Sequence, residues 1–142
     1  MRCKNCRFVY FHNCAAAVAG IIETKKGIIL AQRAEEPKKG GYDLPGGFVN
    51  YLENFEEALS REIKEELNLQ MEDFHYLGSF PNVYSFQDVT YFSTDAIFVV
   101  RTSNLKRLKV SKEIEQIVFS DPEKIEQGKI AFDSIKEGIK RY

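Results

Sequence analysis

Apolar positions along this chain follow two different periods, and the change between them marks the predicted elements. Cys14–Glu23 (CAAAVAGIIE) is an unbroken apolar run of strand length, the pattern of a strand buried on both faces. Thr24-Lys-Lys-Gly27 is a turn signal, and Ile28–Gln32 restores the apolar character, so the two runs predict a hairpin. Arg33–Gly41 is charged and holds Pro37 and two glycines, which predicts a loop, with Leu44-Pro45-Gly46-Gly47 following it.

The period then becomes helical, with Leu59, Ile63 and Leu67 recurring on one face. Asn54 suits the N-cap, and Glu57 three residues later completes a capping box. Leu67-Asn68-Leu69 is the predicted stop, with Asn68 in the left-handed C′ conformation and Leu69 folded back onto Ile63. On that basis Asn68→Gly is expected to be neutral or mildly stabilising, and Asn68→Val to cost about 1–2 kcal/mol. Strands are predicted next at Phe74–Phe80, Asn82–Phe86, Ser93–Arg101 and Glu113–Ser120, with a basic loop over Leu105–Ser111. Asp121-Pro122 reads as a helix start and Phe132–Tyr142 as a terminal amphipathic helix. Strands mixed with two main helices give an α/β or α+β single domain over 14–142, preceded by a polar and aromatic leader, Met1–Asn13.

Composition narrows the function classes. The 142 residues carry a net charge of −1, so no broad basic face for nucleic acid is expected. Ala15–Ile22 is too short for a membrane span, and the N-terminus lacks the apolar segment of a secretory signal. Three cysteines, all within the first fourteen residues, make a poor disulfide framework, and a reducing cytoplasm is the expected location.

Candidate chemistry lies in the helix. At roughly 100° per residue, Glu62, Glu65 and Glu66 share one arc beside the apolar stripe. Like charges at these spacings repel, and near a helix C-terminus they also oppose the macrodipole. A solvated acidic face is one reading of the trio, and a hard divalent cation is the other. Pro45-Gly46-Gly47 favours the second by offering backbone for close approach, and Arg61 supplies a fixed cation that can orient a carboxylate.

The segment Gly47–Leu69 (GFVNYLENFEEALSREIKEELNL) resembles the Nudix box, G-x5-E-x7-R-E-U-x-E-E-x-G-U, with U a bulky aliphatic residue. Gly47, Glu53, Arg61, Glu62, Glu65 and Glu66 all match, a coincidence expected at roughly one start position in ten million. Asn68 replaces the last Gly, a mild departure because Asn tolerates the left-handed conformation. Gln32-Arg33 and Leu-Pro-Gly-Gly extend the likeness. The resemblance implies a Nudix-type α/β/α sandwich around a mixed β-sheet, and hydrolysis of a nucleoside diphosphate linked to another moiety. It implies Mg²⁺ or Mn²⁺ held by Glu62, Glu65, Glu66 and the Gly46 carbonyl. Arg61, with Glu53, would hold a carboxylate in place, and a structural salt bridge is the alternative for that pair. The general base would be Glu62 or a later glutamate, for which Glu113 and Glu115 are candidates. Arg33, Gly46, Gly47 and Tyr84 are the substrate-binding candidates.

Cys3-x-x-Cys6 has the spacing of half a zinc knuckle. Nudix proteins similar to the NADH pyrophosphatases carry a four-cysteine ribbon before the catalytic domain, and the leader would correspond to its second half. Zn²⁺ at Cys3 and Cys6 would need two further ligands, for which His12 and Cys14 are nearest; free thiols, with Cys14 in the core, are the alternative. Ser79-Phe80-Pro81-Asn82-Val83-Tyr84 faintly resembles the element that follows the box in that branch, with Tyr84 or Phe86 available to stack on adenine. The expected partner is therefore a small ADP-ribose- or NADH-like molecule, without nucleic acid or membrane, and a homodimer is compatible with the pattern. Nucleoside triphosphates are the runner-up substrate class. A non-catalytic sensor of nucleotide sugars is the contrasting reading, disfavoured because no box glutamate is lost.

Overall fold

The computed structural model describes residues 1–11, 13–102 and 104–142. Seven strands form one mixed sheet: β1 (Ala15–Thr24), β2 (Gly27–Arg33), β3 (Tyr42–Asp43), β4 (Gly46–Phe48), β5 (Asp73–Phe86), β6 (Val89–Arg101) and β7 (Ile114–Ser120). Its main order is β3-β2-β1-β6-β5, with β4 added to β1 and β7 to β2. β1 runs parallel to β6 from Ala15↔Ser93 to Glu23↔Arg101, while its other edge is shared between β4 and the turn into β2. This central placement buries Val18–Ile22 on both faces, which is why the run carries no polar alternation.

Each face of the sheet is covered by one helix, α1 (Phe55–Leu67) or α2 (Asp133–Arg141). Val18, Ile22, Val100 and Phe98 pack with Leu59, Ile63, Leu67 and Leu69 on the α1 side. Ala19, Ile21 and Ile97 pack with Ile135 and Ile139 on the α2 side. Leu59, Ile63 and Leu67 are fully buried, worth about 1.5–3 kcal/mol each relative to exposure. Gly20 brings β1 close beneath α1: a Cβ there would lie 3.2 Å from Ile63 Cδ1 and 3.3 Å from Val100 Cγ2.

The ends of α1 follow the sequence. Asn54 Oδ1 accepts from the Glu57 amide at 2.8 Å, and Glu57 Oε2 accepts from the Asn54 amide at 3.0 Å, completing the capping box. Asn68 lies at φ 55°, ψ 31°, the left-handed cap, and its N–H donates to the Lys64 carbonyl. Its side chain does more than the motif's glycine could. Nδ2 donates to the Arg107 carbonyl at 2.9 Å and Oδ1 accepts from Lys64 Nζ at 2.7 Å. The expected gain from Asn68→Gly is therefore revised to a net loss.

Other boundaries also differ from expectation. The Leu-Pro-Gly-Gly run enters the sheet: Gly46, Gly47 and Phe48 pair with Ala19, Val18 and Ala17. Phe74–Phe80 and Asn82–Phe86 are one strand, β5, because Pro81 sits on the sheet's edge, where its missing N–H costs no ladder bond. Asp121-Pro122 starts only a single 3-10 turn, Pro122–Lys124. No helix among the described residues is long and apolar enough to cross a membrane.

Candidate active site

β4 and α1 bring the box residues together. Gly47 lies against Glu62: a Cβ on Gly47 would fall 2.5 Å from both Cδ and Oε1 of the glutamate. The neighbouring Gly46, at φ +157°, has its own constraint, since a Cβ there would meet the Val18 carbonyl oxygen and the Ala19 backbone of β1. Its N–H donates to Glu66 Oε2 at 3.0 Å, tying the last turn of α1 to the strand.

Arg61 anchors the other half of the box. Its Nε and Nη2 donate to the two oxygens of Glu53 at 2.7 and 3.0 Å, Nη1 donates to Glu62 at 2.7 Å, and Nη2 reaches the Phe48 carbonyl at 3.0 Å. Glu65 is more exposed and lies 3.5 Å from Arg61 Nη1. The fork thus spans β4, the loop after it and the helix. Its hydrogen bonds, followed by that from the Asn50 amide at 3.0 Å and by the guanidinium charge, hold Glu53 down to about 2.

Glu66 has the opposite environment. Burial pushes its carboxyl up to about 8, against the Gly46 hydrogen bond, and the nearby carboxylates of Asp43, Glu62 and Glu113 add to the rise. Glu62 is raised in the same direction, chiefly by burial, with Arg61 opposing. Burial likewise lifts Asp43 to about 6, although Arg33 Nη1 donates to it at 3.1 Å and the Leu44 N–H at 2.9 Å. Among the described residues no Lys or Arg forms an ion pair with Glu66 or Glu113. Nor do three His, Cys, Asp or Glu side chains converge there as a ready-made cage, since Arg61 draws Glu62 and Glu65 to itself.

Two cavities adjoin at this point and share Arg33, Asp43, Leu44 and Gly46 as a common wall. One is acidic, reaching Glu66, Glu113, Glu35 and Glu36. The other lies on the α2 side and is walled by Tyr84, Phe132 and Ile135, with Asn82, Ser93 and Asp95 as polar groups. The Tyr84 ring stacks on Tyr91 at 5.3 Å and tilts against Phe132 at 5.4 Å, while the Arg33 guanidinium sits 5.1 Å above Phe132.

Glu53, Arg61, Glu62, Glu65, Glu66, Gly46, Gly47, Arg33 and Tyr84 are all in or beside this region. Of the two later glutamates, Glu113 lines the acidic cavity, whereas Glu115 is exposed on β7 and lines neither cavity. Phe86 does not line the aromatic cavity. Asp43, Asn82, Asp95 and Phe132 were not anticipated. Asp95 left a signal, as a lone charge inside the apolar run of β6.

Away from this region, Cys3 and Cys6 are exposed on a short turn closed by the Arg2↔Val9 bridge. Cys14, expected in the core, is exposed instead, with Sγ 3.4 Å from the Thr94 hydroxyl. His12, the other expected zinc ligand, lies outside the described residues, and no third ligand joins the two thiols among those described.

Comparison with known proteins agrees with this geometry. An ADP-ribose pyrophosphatase from Methanocaldococcus jannaschii is 52% identical over 61 residues, which cover 43% of this chain and 36% of that protein. A NAD-capped RNA hydrolase NudC from Vibrio vulnificus is 30% identical over 81 residues, covering 57% and 31%. The matched stretches thus span about a third of either relative. The crystal structure of a NUDIX hydrolase from Nitrosomonas europaea superposes with a TM-score of 0.79 at 26% identity, over 99% of this chain and 76% of that one. The family model described as the NUDIX domain matches residues 12–139, and the chain belongs to the Nudix family.

Proposed function

We propose that this protein hydrolyses the diphosphate bond of an ADP-ribose- or NADH-like dinucleotide with the help of Mg²⁺ or Mn²⁺. The observation that carries the reading is the position of Glu66. It is a largely buried carboxylate, without a cationic partner among the described residues, on the acidic side of the wall between the two cavities. The donor set fits a hard divalent cation. Burial raises the proton affinity of both Glu66 and Glu62, and neighbouring carboxylates add to it, Asp43, Glu62 and Glu113 at Glu66 and Glu65 and Glu113 at Glu62. This is negative charge suited to a counter-ion, and every donor is oxygen. Glu62, Glu65, Glu66 and the Gly46 carbonyl would hold it. A divalent cation there supplies positive charge to the diphosphate oxygens and makes the attacking water more acidic.

The remaining work belongs to the chain. Arg61, fixed by Glu53 and the Phe48 carbonyl, presents Glu62 in one orientation. Glu62 or Glu113 takes the proton from water as it adds to phosphorus. Arg33, in the shared wall, faces the substrate's anionic centre, and the aromatic cavity receives the nucleoside, with Tyr84 and Phe132 offering ring surface. One relative is named for ADP-ribose and the other for NAD-capped RNA, and the adenine shared by ADP-ribose and the NAD cap supports the adenine dinucleotide class. The products from ADP-ribose would be AMP and ribose 5-phosphate. The test is a panel of ADP-ribose, NADH and nucleoside triphosphates incubated with Mg²⁺ and separated by chromatography. AMP formation from the dinucleotides is expected. Turnover confined to triphosphates, or none at all, would overturn the assignment.

A further inference from the structure

The aromatic cavity holds a largely buried amide whose hydrogen-bonding capacity the described residues leave unused. Asn82 sits on β5 opposite Ser93 of β6, is 6% exposed, and lines the cavity. Among the described residues its side-chain amide has no hydrogen-bond partner. Its polar neighbours are already engaged. Ser93 Oγ donates to Asp95 Oδ1 at 2.7 Å, Ser134 Oγ donates to Asp95 Oδ2 at 2.5 Å, and Asp43 is occupied by Arg33 and the Leu44 N–H. The amide atoms are not sealed from the cavity, so an unpaired donor and acceptor there are open to a ligand or a water.

The surroundings say which chemistry would match it. Tyr84 follows two residues later on the same face of β5, so its ring and that of Phe132 stand beside the amide. Ring walls suit a flat aromatic heterocycle. An amide offers a donor and an acceptor side by side, the complement of a ring nitrogen next to an amino group. Adenine presents that pair, and Asn is the side chain whose fork fits it.

We infer that Asn82 is a specificity-determining residue that reads the 6-amino group and the adjacent ring nitrogen of an adenine seated in the aromatic cavity. The inference rests on the proposed adenine dinucleotide substrate, but it concerns recognition and not hydrolysis. The two are tested separately.

Calorimetric titration in Mg²⁺ buffer compares AMP with purine riboside 5′-monophosphate, which lacks only the 6-amino group. IMP is a poor control, because the Asn amide can turn over to serve its carbonyl and N–H. The intact protein should bind AMP about tenfold more tightly than the analogue. In Asn82→Leu the ratio should fall to about one, and thermal melting checks that the variant is folded. Asn82→Ser, smaller and polar, carries the same test should the leucine disturb packing. An AMP preference that survives both substitutions overturns the inference, as does an intact protein that does not distinguish the two ligands. ADP-ribose turnover is followed in parallel. Loss of the AMP preference in the variants supports Asn82 even if the intact protein turns over no ADP-ribose, an outcome that removes the proposed reaction alone. Turnover with an unchanged preference removes the role of Asn82 alone.

Discussion

Adding one methyl group at Gly47 should separate catalysis from folding. The backbone there has no positive φ, so alanine is conformationally acceptable, and it restricts the unfolded chain by about 0.4–1 kcal/mol in favour of folding. The new Cβ would stand 2.5 Å from Glu62 Cδ and Oε1, roughly 1 Å inside normal contact. The carboxylate is the far end of a flexible side chain and can yield, but only by giving up its 2.7 Å bond to Arg61 Nη1. A partly exposed ion pair of this kind is worth about 1 kcal/mol or less, which nearly cancels the backbone gain. Net stability should therefore change by less than about 1 kcal/mol. Activity should not be spared, because a displacement of about 1 Å at a group that orients the reaction can cost on the order of a hundredfold. The paired measurement is urea unfolding and kcat/KM for ADP-ribose. Gly46→Ala is the contrast: its Cβ would collide with the β1 backbone, so it should unfold at markedly lower urea. A folded Gly47→Ala protein with kcat/KM within twofold of the parent would refute the role given to the Glu62 position.

Three other outcomes are expected. Glu66→Gln should keep its fold while losing at least about a hundredfold in turnover, read from the steady-state rate; an unchanged rate would remove Glu66 from the chemistry. Mg²⁺ or Mn²⁺ should raise the melting temperature, and more so with AMP present, because ions that bind only the folded state stabilise it by mass action; melting curves indifferent to both ions and EDTA would dismiss the metal site. Asn68→Gly should cost up to about 1 kcal/mol, two side-chain hydrogen bonds outweighing the relief of the left-handed backbone, and Asn68→Val should cost about 2–3 kcal/mol. Chemical denaturation ranks the three proteins, and a glycine variant more stable than the parent would show that the side-chain bonds contribute nothing.

The helix and its carboxylates were legible in the sequence because their information is local. Capping, the Leu59–Ile63–Leu67 stripe and the left-handed stop at Asn68 are each set by residues within four positions. The Leu-Pro-Gly-Gly strand was not legible, since proline and glycine signal turns and only the exposed edge of β1 makes them pair. Pro81 misled for a related reason: it divides a strand unless the strand lies on an edge, and edge position belongs to the sheet as a whole. The sequence does not show Asn82, Asp95 and Phe132 as one site, because three separate parts of the chain carry them to a single cavity. Cys14 follows the same rule in reverse. Its apolar neighbours suggested a core position, but the run becomes buried only from Val18 onward.

The end of α1 also does structural work for a distant part of the chain. Its last carbonyls, Glu66 O and Leu67 O, accept from the Ser111 and Lys109 amides at 2.8 and 2.9 Å. These are among the acceptors that every helix terminus leaves open. Here they moor the segment that carries Glu113, while the Glu113 carbonyl accepts from the Ala34 amide on the far side. A carboxylate outside the helical motif thus reaches the acidic cavity chiefly through main-chain bonds, with the Ser111 hydroxyl also accepting from the Glu113 amide at 3.3 Å. Side chains at 109 and 110 are free to drift so long as the 109 amide is kept, whereas inserting or deleting a single residue there would carry Glu113 out of step with Glu66.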